Sequence, residues 1–427
     1  MRIPLGSLAT LVCVGISSTA IAQTQTDLKF QFAPGKVAPG YTQVAADTAY
    51  NADQGYGFEP GSKVKSVDEG GDDPLHAGFV TSDKPFYFSI KLPEGNYNVT
   101  LTLGDAKGTS DTTVKAELRR LMLQGVRTAS GQIVTRTIVV NLRQPKISTG
   151  GSVSLKGREE TTEAWAWDDK MELEFNGPHP AVDAIEISKA DVPTIYILGD
   201  STVCDQPAEP WNSWGQMLPR FFKPGIAVAN HAESGETLRS SLGAKRLAKV
   251  LSLIKPGDYL FIQFGHNDMK AGAREPATGA YTDYLKEFAE GAKAKGATPV
   301  LITPVNRKQM KDGKVVNTLQ GYPDAVRQAA KDWNMPLIDL NAMSKTLYEA
   351  IGPENIGKAF QDGTHHNNYG SYELAQCIID GIRQDHLPIE KFIVDDVPPF
   401  DPAHPDPIAS VIIPPSAMHS AEKPAGS

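Results

Sequence analysis

The chain has 427 residues, 40% of them hydrophobic, so it is long and apolar enough to bury two separate cores. Its formal net charge of −8 argues against a nucleic acid or an anionic membrane surface as a partner. The apolar stretch at residues 8–16 is too short for a membrane-spanning helix, and no later segment approaches the ~20 apolar residues that one needs, so we expect no membrane span.

The start of the chain predicts a signal peptide over residues 1–22. Arg2 supplies the positive charge, residues 8–16 form a short apolar core, and residues 20–22 read Ala-Ile-Ala, a small-residue cleavage site. We therefore expect a mature chain that begins at Gln23 and leaves the cytosol, either secreted or periplasmic.

Residues 27–189 predict a β-sandwich domain, because apolar and polar residues alternate in short runs between turns that contain Gly, Pro or Asn. The clearest runs are 86–90, 97–101, 133–140 and 171–175. Six aromatic residues of this region have two interpretations, as exposed rings that stack on sugars or as part of the sandwich core: Tyr41, Tyr50, Tyr56, Phe58, Trp165 and Trp167.

From residue 193 onward the pattern changes to strands that alternate with helices. This alternation predicts a parallel sheet with helices on both faces, over residues 193–390. The predicted strands are 194–198, 226–230, 259–264, 298–303 and 336–340. The predicted helices are 214–222, 243–254, 281–295, 320–334, 343–350 and 370–384. Residues 393–427, rich in Pro and Asp, predict an irregular tail.

Polar groups that suit nucleophilic catalysis follow these strands. Ser201 comes shortly after the first strand, at the carboxyl edge where open α/β sheets place their chemistry. A serine nucleophile needs a base and the base needs an orienting acceptor, for which His365 and Asp362 are candidates. Candidate oxyanion donors are the backbone N–H groups of Ser201 and Gly235 and the side-chain amide of Asn267. Losing one such donor typically costs about 3–4 kcal/mol of transition-state stabilisation.

Each of these residues also has a simple structural interpretation. Ser201 and Asn267 are good helix caps, Gly235 is a good turn residue, and His365 in a polar loop is commonly solvated. Their order along the chain favours an active site, because Ser, Gly and Asn follow three successive strands and Asp-x-x-His precedes the last helix. All of them would then lie at one edge of the sheet.

The same motifs resemble the four blocks of the SGNH (GDSL-type) hydrolases. The blocks are Gly-Asp-Ser-Thr at 199–202, Ser-Gly at 234–235, Gly-His-Asn-Asp at 265–268 and Asp-Gly-Thr-His at 362–365. Within that superfamily they look most like the rhamnogalacturonan acetylesterases. The resemblance extends over residues 193–387, less than half of the chain.

The resemblance implies a flavodoxin-like, three-layer α/β/α hydrolase domain that needs no metal or organic cofactor. It implies Ser201 as nucleophile, His365 as base and Asp362 as its orienting partner, with Ser201, Gly235 and Asn267 forming the oxyanion site. The N-terminal region resembles the galactose-binding-like jelly-roll modules that are attached to polysaccharide esterases. Such a module would dock the polymer or close one side of the cleft.

The second block departs from the family pattern. Glu236 follows the glycine, whereas fungal rhamnogalacturonan acetylesterases often have a basic residue there. An acidic residue at this position leaves open how an acidic pectic backbone would be held. Arg239, Lys245 and Arg246 are alternative sources of positive charge, although the last two also fit solvated positions on the helix predicted over 243–254.

Two cysteines remain after the leader, Cys204 and Cys377. A disulfide between them would brace the loop after Ser201 against the last helix, and a pair of buried thiols is the alternative.

Two other chemistries fit the sequence less well. A metal-dependent phosphoesterase would draw its ligands from Asp200, His266, Asp268, Asp362, His365 and His366. However, the chain has no His-Glu-x-x-His motif, and its Gly-His-Asn order differs from the Gly-Asn-His of such enzymes. An α/β-hydrolase would have a glycine two residues after its nucleophile, and Ser201 does not.

We therefore expect hydrolysis of acetyl esters on a plant cell-wall polysaccharide, with acetylated rhamnogalacturonan as the first choice of substrate. Acetylxylan or another ester would leave the serine mechanism unchanged. A carbohydrate-binding protein with an inactive hydrolase fold is an alternative from a different class.

Overall fold

The computed structural model describes residues 27–425, apart from the side chains of Ala271 and Ala273. The signal peptide predicted over residues 1–22 lies outside the described residues. Two units follow each other along the described chain, a sandwich of β-sheets and then an α/β unit with a parallel sheet.

Twelve strands form the sandwich in two sheets. One has the order β10-β7-β12-β1-β2, with β5 beside β12 and β4 beside β5, and the other has the order β3-β6-β11-β8-β9. The strands are β1 Leu28–Gln31, β2 Thr42–Gln43, β3 Tyr56–Phe58, β4 Lys65–Asp68, β5 Gly78–Thr81, β6 Phe86–Lys91, β7 Gly95–Gly104, β8 Ser110–Ala116, β9 Arg120–Thr128, β10 Ile133–Leu142, β11 Lys170–His179 and β12 Val182–Lys189.

Alternating side chains of these strands fill the space between the two sheets. In β7, Val99 and Leu101 are fully buried while Asn98 and Thr100 are only half-buried, as period-two alternation requires. Each large apolar side chain buried in this way stabilises the fold by about 1.5–3 kcal/mol.

The six aromatic residues do not share one environment. Phe58 belongs to the sandwich core, with 4% of its surface exposed. Trp167 is also buried and lies under the guanidinium of Arg143, 4.4 Å from its ring centroid. An exposed sugar-stacking role is therefore wrong for these two residues. The other four are half-buried, namely Tyr41, Tyr50, Tyr56 and Trp165.

The second unit has a five-stranded parallel sheet in the order β14-β13-β15-β16-β19, which is the flavodoxin-like order 2-1-3-4-5. Its strands are β13 Thr194–Gly199, β14 Ala227–Asn230, β15 Tyr259–Gln263, β16 Thr298–Ile302 and β19 Leu337–Ile338, with a separate hairpin of β17 Met310–Lys311 and β18 Lys314–Val315. Its helices are α1 Trp214–Met217, α2 Leu238–Gly243, α3 Arg246–Leu251, α4 Asp268–Ala271, α5 Ala280–Ala294, α6 Tyr322–Trp333, α7 Leu340–Ile351 and α8 Asn368–Gln384.

Helices cover both faces of this sheet, so the predicted three-layer fold is confirmed. Ile195 and Ile197 of β13 pack with α1, α7 and α8, whereas Tyr196 and Leu198 pack with α2, α3, α5 and α6. Because both faces are buried, the strands are continuous apolar runs, as parallel strands in α/β proteins usually are.

Two predicted helices differ from the observed ones. The helix predicted over 214–222 becomes a tighter 3-10 turn after α1, over Leu218–Phe221. The helix predicted over 243–254 is shorter, because Lys245 adopts a left-handed conformation with φ 63° and separates α3 from α2.

The sandwich and the α/β unit share buried ion pairs. At the tip of the β8–β9 hairpin, Arg120 Nε lies 2.7 Å from an oxygen of Asp205, and Arg119 Nη2 lies 2.6 Å from an oxygen of Glu209. All four side chains are at most 5% exposed. The tip of this hairpin therefore contacts the segment that follows Ser201.

Residues 393–425 are irregular apart from a 3-10 turn over Ile408–Ser410. They nevertheless pack against both units. Lys115 of β8 donates hydrogen bonds of 2.7 Å to the carbonyl of Pro414 and to the hydroxyl of Ser416. The indole N–H of Trp211 donates to the carbonyl of Ser420 at 3.0 Å.

Cys204 and Cys377 are both buried free thiols, so the structure favours the thiol alternative over a disulfide. Across residues 27–425, no helix has the length and apolarity needed to cross a membrane.

Glu373 of α8 is a buried carboxyl that should make stability depend on pH. Burial is the main cause and repulsion from Asp406 the second cause that raise its pKa from the usual 4.5 to about 8. Between these pH values the folded protein keeps a proton that the unfolded chain has lost, so this carboxyl makes stability fall as the pH rises.

We expect Glu373→Gln, which resembles the protonated acid, to gain stability relative to the wild type between about pH 5 and about pH 8. The gain should be at most about 1.4 kcal/mol per pH unit. Denaturant unfolding at the two pH limits measures it, with Glu290→Gln on the exposed face of α5 as the control. An equal effect of Glu373→Gln at both limits would contradict the expectation.

Candidate active site

Ser201 lies at the carboxyl end of β13, on a tight turn. Gly199 is needed there because a Cβ on it would lie 2.7 Å from the backbone oxygen of Gln263. The carbonyl of Asp200 accepts hydrogen bonds of 3.0 Å from the N–H groups of Val203 and Cys204, which closes the turn. The sharp turn therefore directs the Ser201 side chain to the edge of the sheet.

His365 and Asp362 reach this serine from the loop before α8. His365 Nε2 lies 2.8 Å from Ser201 Oγ, and His365 Nδ1 lies 2.9 Å from Asp362 Oδ2. The predicted nucleophile, base and acceptor are thus joined in one line of hydrogen bonds, although Ser201 and His365 are 164 residues apart. This is the arrangement in which a histidine can take the proton of an attacking serine.

Asp362 is held in its ionised form. Its Oδ1 accepts hydrogen bonds of 2.6 Å from the backbone N–H groups of Thr364 and His365. Burial opposes ionisation, but these bonds and the one with the His365 ring together hold the pKa of Asp362 well below its usual value. A carboxylate is therefore present opposite Nδ1, where it favours the tautomer that carries its proton on that nitrogen.

The second and third blocks are linked to the first through side chains. The amide of Gln206 donates to the carbonyl of Ser201 at 2.8 Å and to the hydroxyl of Ser234 at 3.3 Å. Gly235 has φ +78°, a left-handed conformation that favours glycine. Asn267 is 6% exposed, and its amide donates to the carbonyl of Glu236 at 3.0 Å.

The carboxylate of Glu236, the acidic residue after the glycine of the second block, is buried and paired. It therefore does not present a negative charge to an acidic substrate. It is 1% exposed, and Lys156 Nζ lies 2.7 Å from one of its oxygens. Lys245 is exposed, as a solvated position requires, and so is Arg239 of α2. A solvated position is wrong for Arg246, which is 1% exposed and pairs with both oxygens of Glu159 at 3.0 and 2.6 Å.

Positive charge lies instead on the α4 side of the site. Arg307 donates to the carbonyl of His266 at 3.2 Å, and its side chain is half-buried. Partial burial and repulsion from Arg307 lower the pKa of Lys270. The carboxylates of Asp200 and Asp362 partly offset this decrease. Lys270 thus interacts electrostatically with Asp200 and Asp362, and Arg307 interacts with Asp200.

An aromatic side chain and the C-terminal tail flank the site on another side. The ring of Trp211 meets the ring of His365 edge to face, with centroids 6.0 Å apart. The tail passes Trp211 and reaches the second block, where Ala425 lies 3.4 Å from the position that a Cβ on Gly235 would take. A cleft of 410 Å³ lies between the tail, Trp211, Arg158 and Ser234.

The residues of the metal-dependent alternative do not converge on one point. Among residues 27–425, no group of three or more His, Cys, Asp or Glu side chains is arranged to hold a metal ion. His266 Nε2 lies 2.9 Å from the carbonyl oxygen of Val305. His366 is fully buried, with Nε2 2.7 Å from the hydroxyl of Tyr348, and burial lowers its pKa to about 3.

Residues 154–169, part of the segment between β10 and β11, contact the second block, and apart from Trp165 and Trp167 they did not stand out in the sequence. Lys156 and Arg158 bind the carbonyl of Ser234, and Glu159 pairs with Arg246. The signal in the sequence was a run of charges in a stretch without strand alternation, which is also typical of a solvated loop. Its partners are about 80 residues away, so spacing could not reveal them.

Comparisons with known proteins give one match for each unit. Residues 197–371 match the GDSL-like lipase/acylhydrolase family. Residues 28–132 match the galactose-binding domain-like family of β-agarase and YXIM esterase-like proteins. These matches confirm both resemblances seen in the sequence.

Individual relatives are similar to one unit or to both. Rhamnogalacturonan acetylesterase RhgT of Bacillus subtilis is 37% identical over 218 residues, 47% of this chain and 94% of RhgT. The uncharacterized esterase YxiM of B. subtilis is 29% identical over 405 residues, 88% of this chain and 96% of YxiM. The X-ray structure of B. subtilis YxiM covers 85% of this chain and 99% of its own, at 26% identity and a TM-score of 0.46.

The hydrogen-bonded line predicts how Ser201 reacts with a fluorophosphonate, a reagent that labels activated serines. Asp362→Asn keeps an oxygen for the two backbone N–H groups but removes the charge opposite His365 Nδ1. We expect labelling to slow by about 10²- to 10⁴-fold, because the wrong imidazole tautomer is favoured.

Ser201→Ala should abolish the labelling altogether. Asp332→Asn, on the exposed face of α6, is the matched control and should label at the wild-type rate. Equal rates for Asp362→Asn and the wild type would show that Asp362 has no part in activating the serine.

Proposed function

The chain belongs to the GDSL-like lipase/acylhydrolase family and is a carboxylic ester hydrolase, and on that premise we propose that it removes acetyl groups from a plant cell-wall polysaccharide. We propose acetylated rhamnogalacturonan as the substrate. The observation that carries the mechanism is the line of hydrogen bonds from Ser201 through His365 to Asp362.

In the proposed mechanism Ser201 Oγ attacks the carbonyl carbon of the acetyl group. His365 Nε2 takes the hydroxyl proton and then gives it to the sugar oxygen as the ester bond breaks, which leaves an acetyl-serine. Water attacks this second ester, His365 takes one of its protons, and acetate departs as the proton returns to Ser201. Asp362 stabilises the imidazolium that forms in each half of the reaction.

The negative oxygen of each tetrahedral intermediate needs hydrogen-bond donors. We assign the backbone N–H groups of Ser201 and Gly235 and the side-chain amide of Asn267. The Asn267 amide carries two N–H groups and one of them already donates to the carbonyl of Glu236, which fixes the direction of the other. Donors fixed in advance cost no reorganisation when the charge develops.

Two observations support a pectic substrate over a neutral one. RhgT, which is 37% identical over its aligned length, is named as a rhamnogalacturonan acetylesterase. Lys270 and Arg307 place positive charge next to the site, which favours a backbone that carries carboxylates. Acetylxylan, which carries far less charge, is the second candidate.

We further propose that the protein acts outside the cytosol, after removal of residues 1–22. A polymer of the plant cell wall is available only there, and the start of the chain has the three parts of a signal peptide. The sandwich would then lie next to the polymer, as in other modular polysaccharide esterases.

Acetate release from acetylated polymers tests the reaction and its substrate together. We expect release from acetylated rhamnogalacturonan that resists EDTA and is lost in Ser201→Ala, with slower release from acetylxylan. Faster release from acetylxylan would overturn the pectic assignment and leave the serine mechanism intact. Activity that EDTA removes and that survives Ser201→Ala would overturn the mechanism.

Removing the Asn267 amide tests the oxyanion assignment. We expect Asn267→Ala to lower kcat by about 10²- to 10³-fold with little change in KM, because the donor acts on charge that exists only in the transition state. Steady-state kinetics on a small acetyl ester measures both constants. Asn317→Ala, at an exposed turn, is the matched control, and a loss confined to KM would contradict the assignment.

A further inference from the structure

The peptide group between Ser234 and Gly235 is held by the sandwich. Its carbonyl oxygen belongs to Ser234, and its N–H is the one that we assign to the oxyanion site. Lys156 Nζ donates a 2.7 Å hydrogen bond to this carbonyl, and Arg158 Nη2 donates a second one. Both cations belong to the segment 154–169, which connects two strands of the sandwich.

A peptide group is planar and nearly always trans, so its C=O and N–H point in opposite directions. Fixing the carbonyl oxygen of Ser234 therefore fixes the direction of the Gly235 N–H. The backbone of Gly235 has a left-handed conformation, φ +78°, and glycine restricts that backbone least. Hydrogen bonds from outside the loop to this peptide group can therefore keep the Gly235 N–H in place.

The two cations also act on the strength of the donor. A cation that is hydrogen-bonded to the oxygen of an amide draws electron density away from the amide nitrogen. This makes the N–H a stronger hydrogen-bond donor. The carbonyl itself is shielded from water, since Ser234 is 2% exposed, while the side chains of Lys156 and Arg158 are 33% and 29% exposed. Lys156 and Arg158 can therefore orient and polarise the same group.

Acidic side chains on both sides of the Ser234–Gly235 peptide group hold the two cations beside it. Arg158 pairs with Glu233, which is 4% exposed, and Lys156 pairs with Glu236, which is 1% exposed. Glu159, on the same segment as the cations, binds Arg246 of α3 through both of its oxygens. The segment is thus tied by two ion pairs to the residues on either side of the second block and by a third to α3.

We propose that Lys156 and Arg158 of the sandwich are positioning residues for the ester hydrolysis, because they orient and polarise the Gly235 N–H through the Ser234 carbonyl. This inference rests on the proposed function, in which that N–H stabilises the oxyanion. It gives the sandwich a part in the chemistry that does not require the sandwich to bind sugar.

Kinetics and transition-state analogue binding test the inference on the full chain. We expect Lys156→Met and Arg158→Gln each to lower kcat by about 10- to 100-fold on a small acetyl ester, with KM nearly unchanged. Methylboronic acid forms a tetrahedral, negatively charged adduct with a serine hydroxyl. Its inhibition constant should rise by the same factor as kcat/KM falls.

A loss of packing alone would give a different result. It would lower the melting temperature and leave the ratio of the boronate inhibition constant to KM unchanged, which would overturn the inference. Lys156→Arg and Arg158→Lys keep a donor at each position and should recover most of the lost activity. Lys293→Met, on the exposed face of α5, is the control for removing a lysine and should behave as wild type.

The same experiments separate the two proposals. If Ser201→Ala is inactive while Lys156→Met and Arg158→Gln keep the wild-type kcat and boronate affinity, the positioning role is wrong and the proposed function stands. If Ser201→Ala keeps its activity, the proposed function is wrong and the positioning role falls with it.

Discussion

Charge buried between the two units is the constraint on which the active site depends. Arg119 and Arg120 of the β8–β9 hairpin find their partners in the segment after Ser201, and Arg246 of α3 finds its partner on the sandwich. A buried ion that loses its partner typically costs about 3–5 kcal/mol. These buried ion pairs therefore join the sandwich to the α/β unit at the segment after Ser201 and at α3.

This constraint divides the site into two parts of different origin. The line from Ser201 to His365 and Asp362 lies entirely within the α/β unit and follows from the carboxyl edge of its sheet. The second block is also bonded within the α/β unit, but the carbonyl of Ser234 takes two hydrogen bonds from Lys156 and Arg158 of the sandwich. RhgT aligns over 218 residues, which is 94% of its length, so it has no room for a second domain of this size.

The sequence was sufficient wherever the signal was local. Buried strands, the turns that follow them and the order Ser, Gly, Asn, His are all short patterns, and they predict the parallel sheet and the candidates Ser201, His365 and Asp362. Pairings across about 80 residues have no period or spacing, so the ion pair between Glu159 and Arg246 could not be foreseen. Arg246 was misread for this reason, since a charged residue on a helix is normally solvated. Phe58 and Trp167 are more buried than the other four aromatic residues because of tertiary packing, which composition does not encode.

The path of the tail has a practical consequence for anyone who handles this protein. Ala425 lies against Gly235, so the last described residue of the tail is next to the second block. An affinity tag fused there would sit at the mouth of the cleft and compete with a bulky polymer more than with a small ester. Kinetic constants from such a fusion would understate the proposed activity on polysaccharide, and a tag fused ahead of β1 would avoid this.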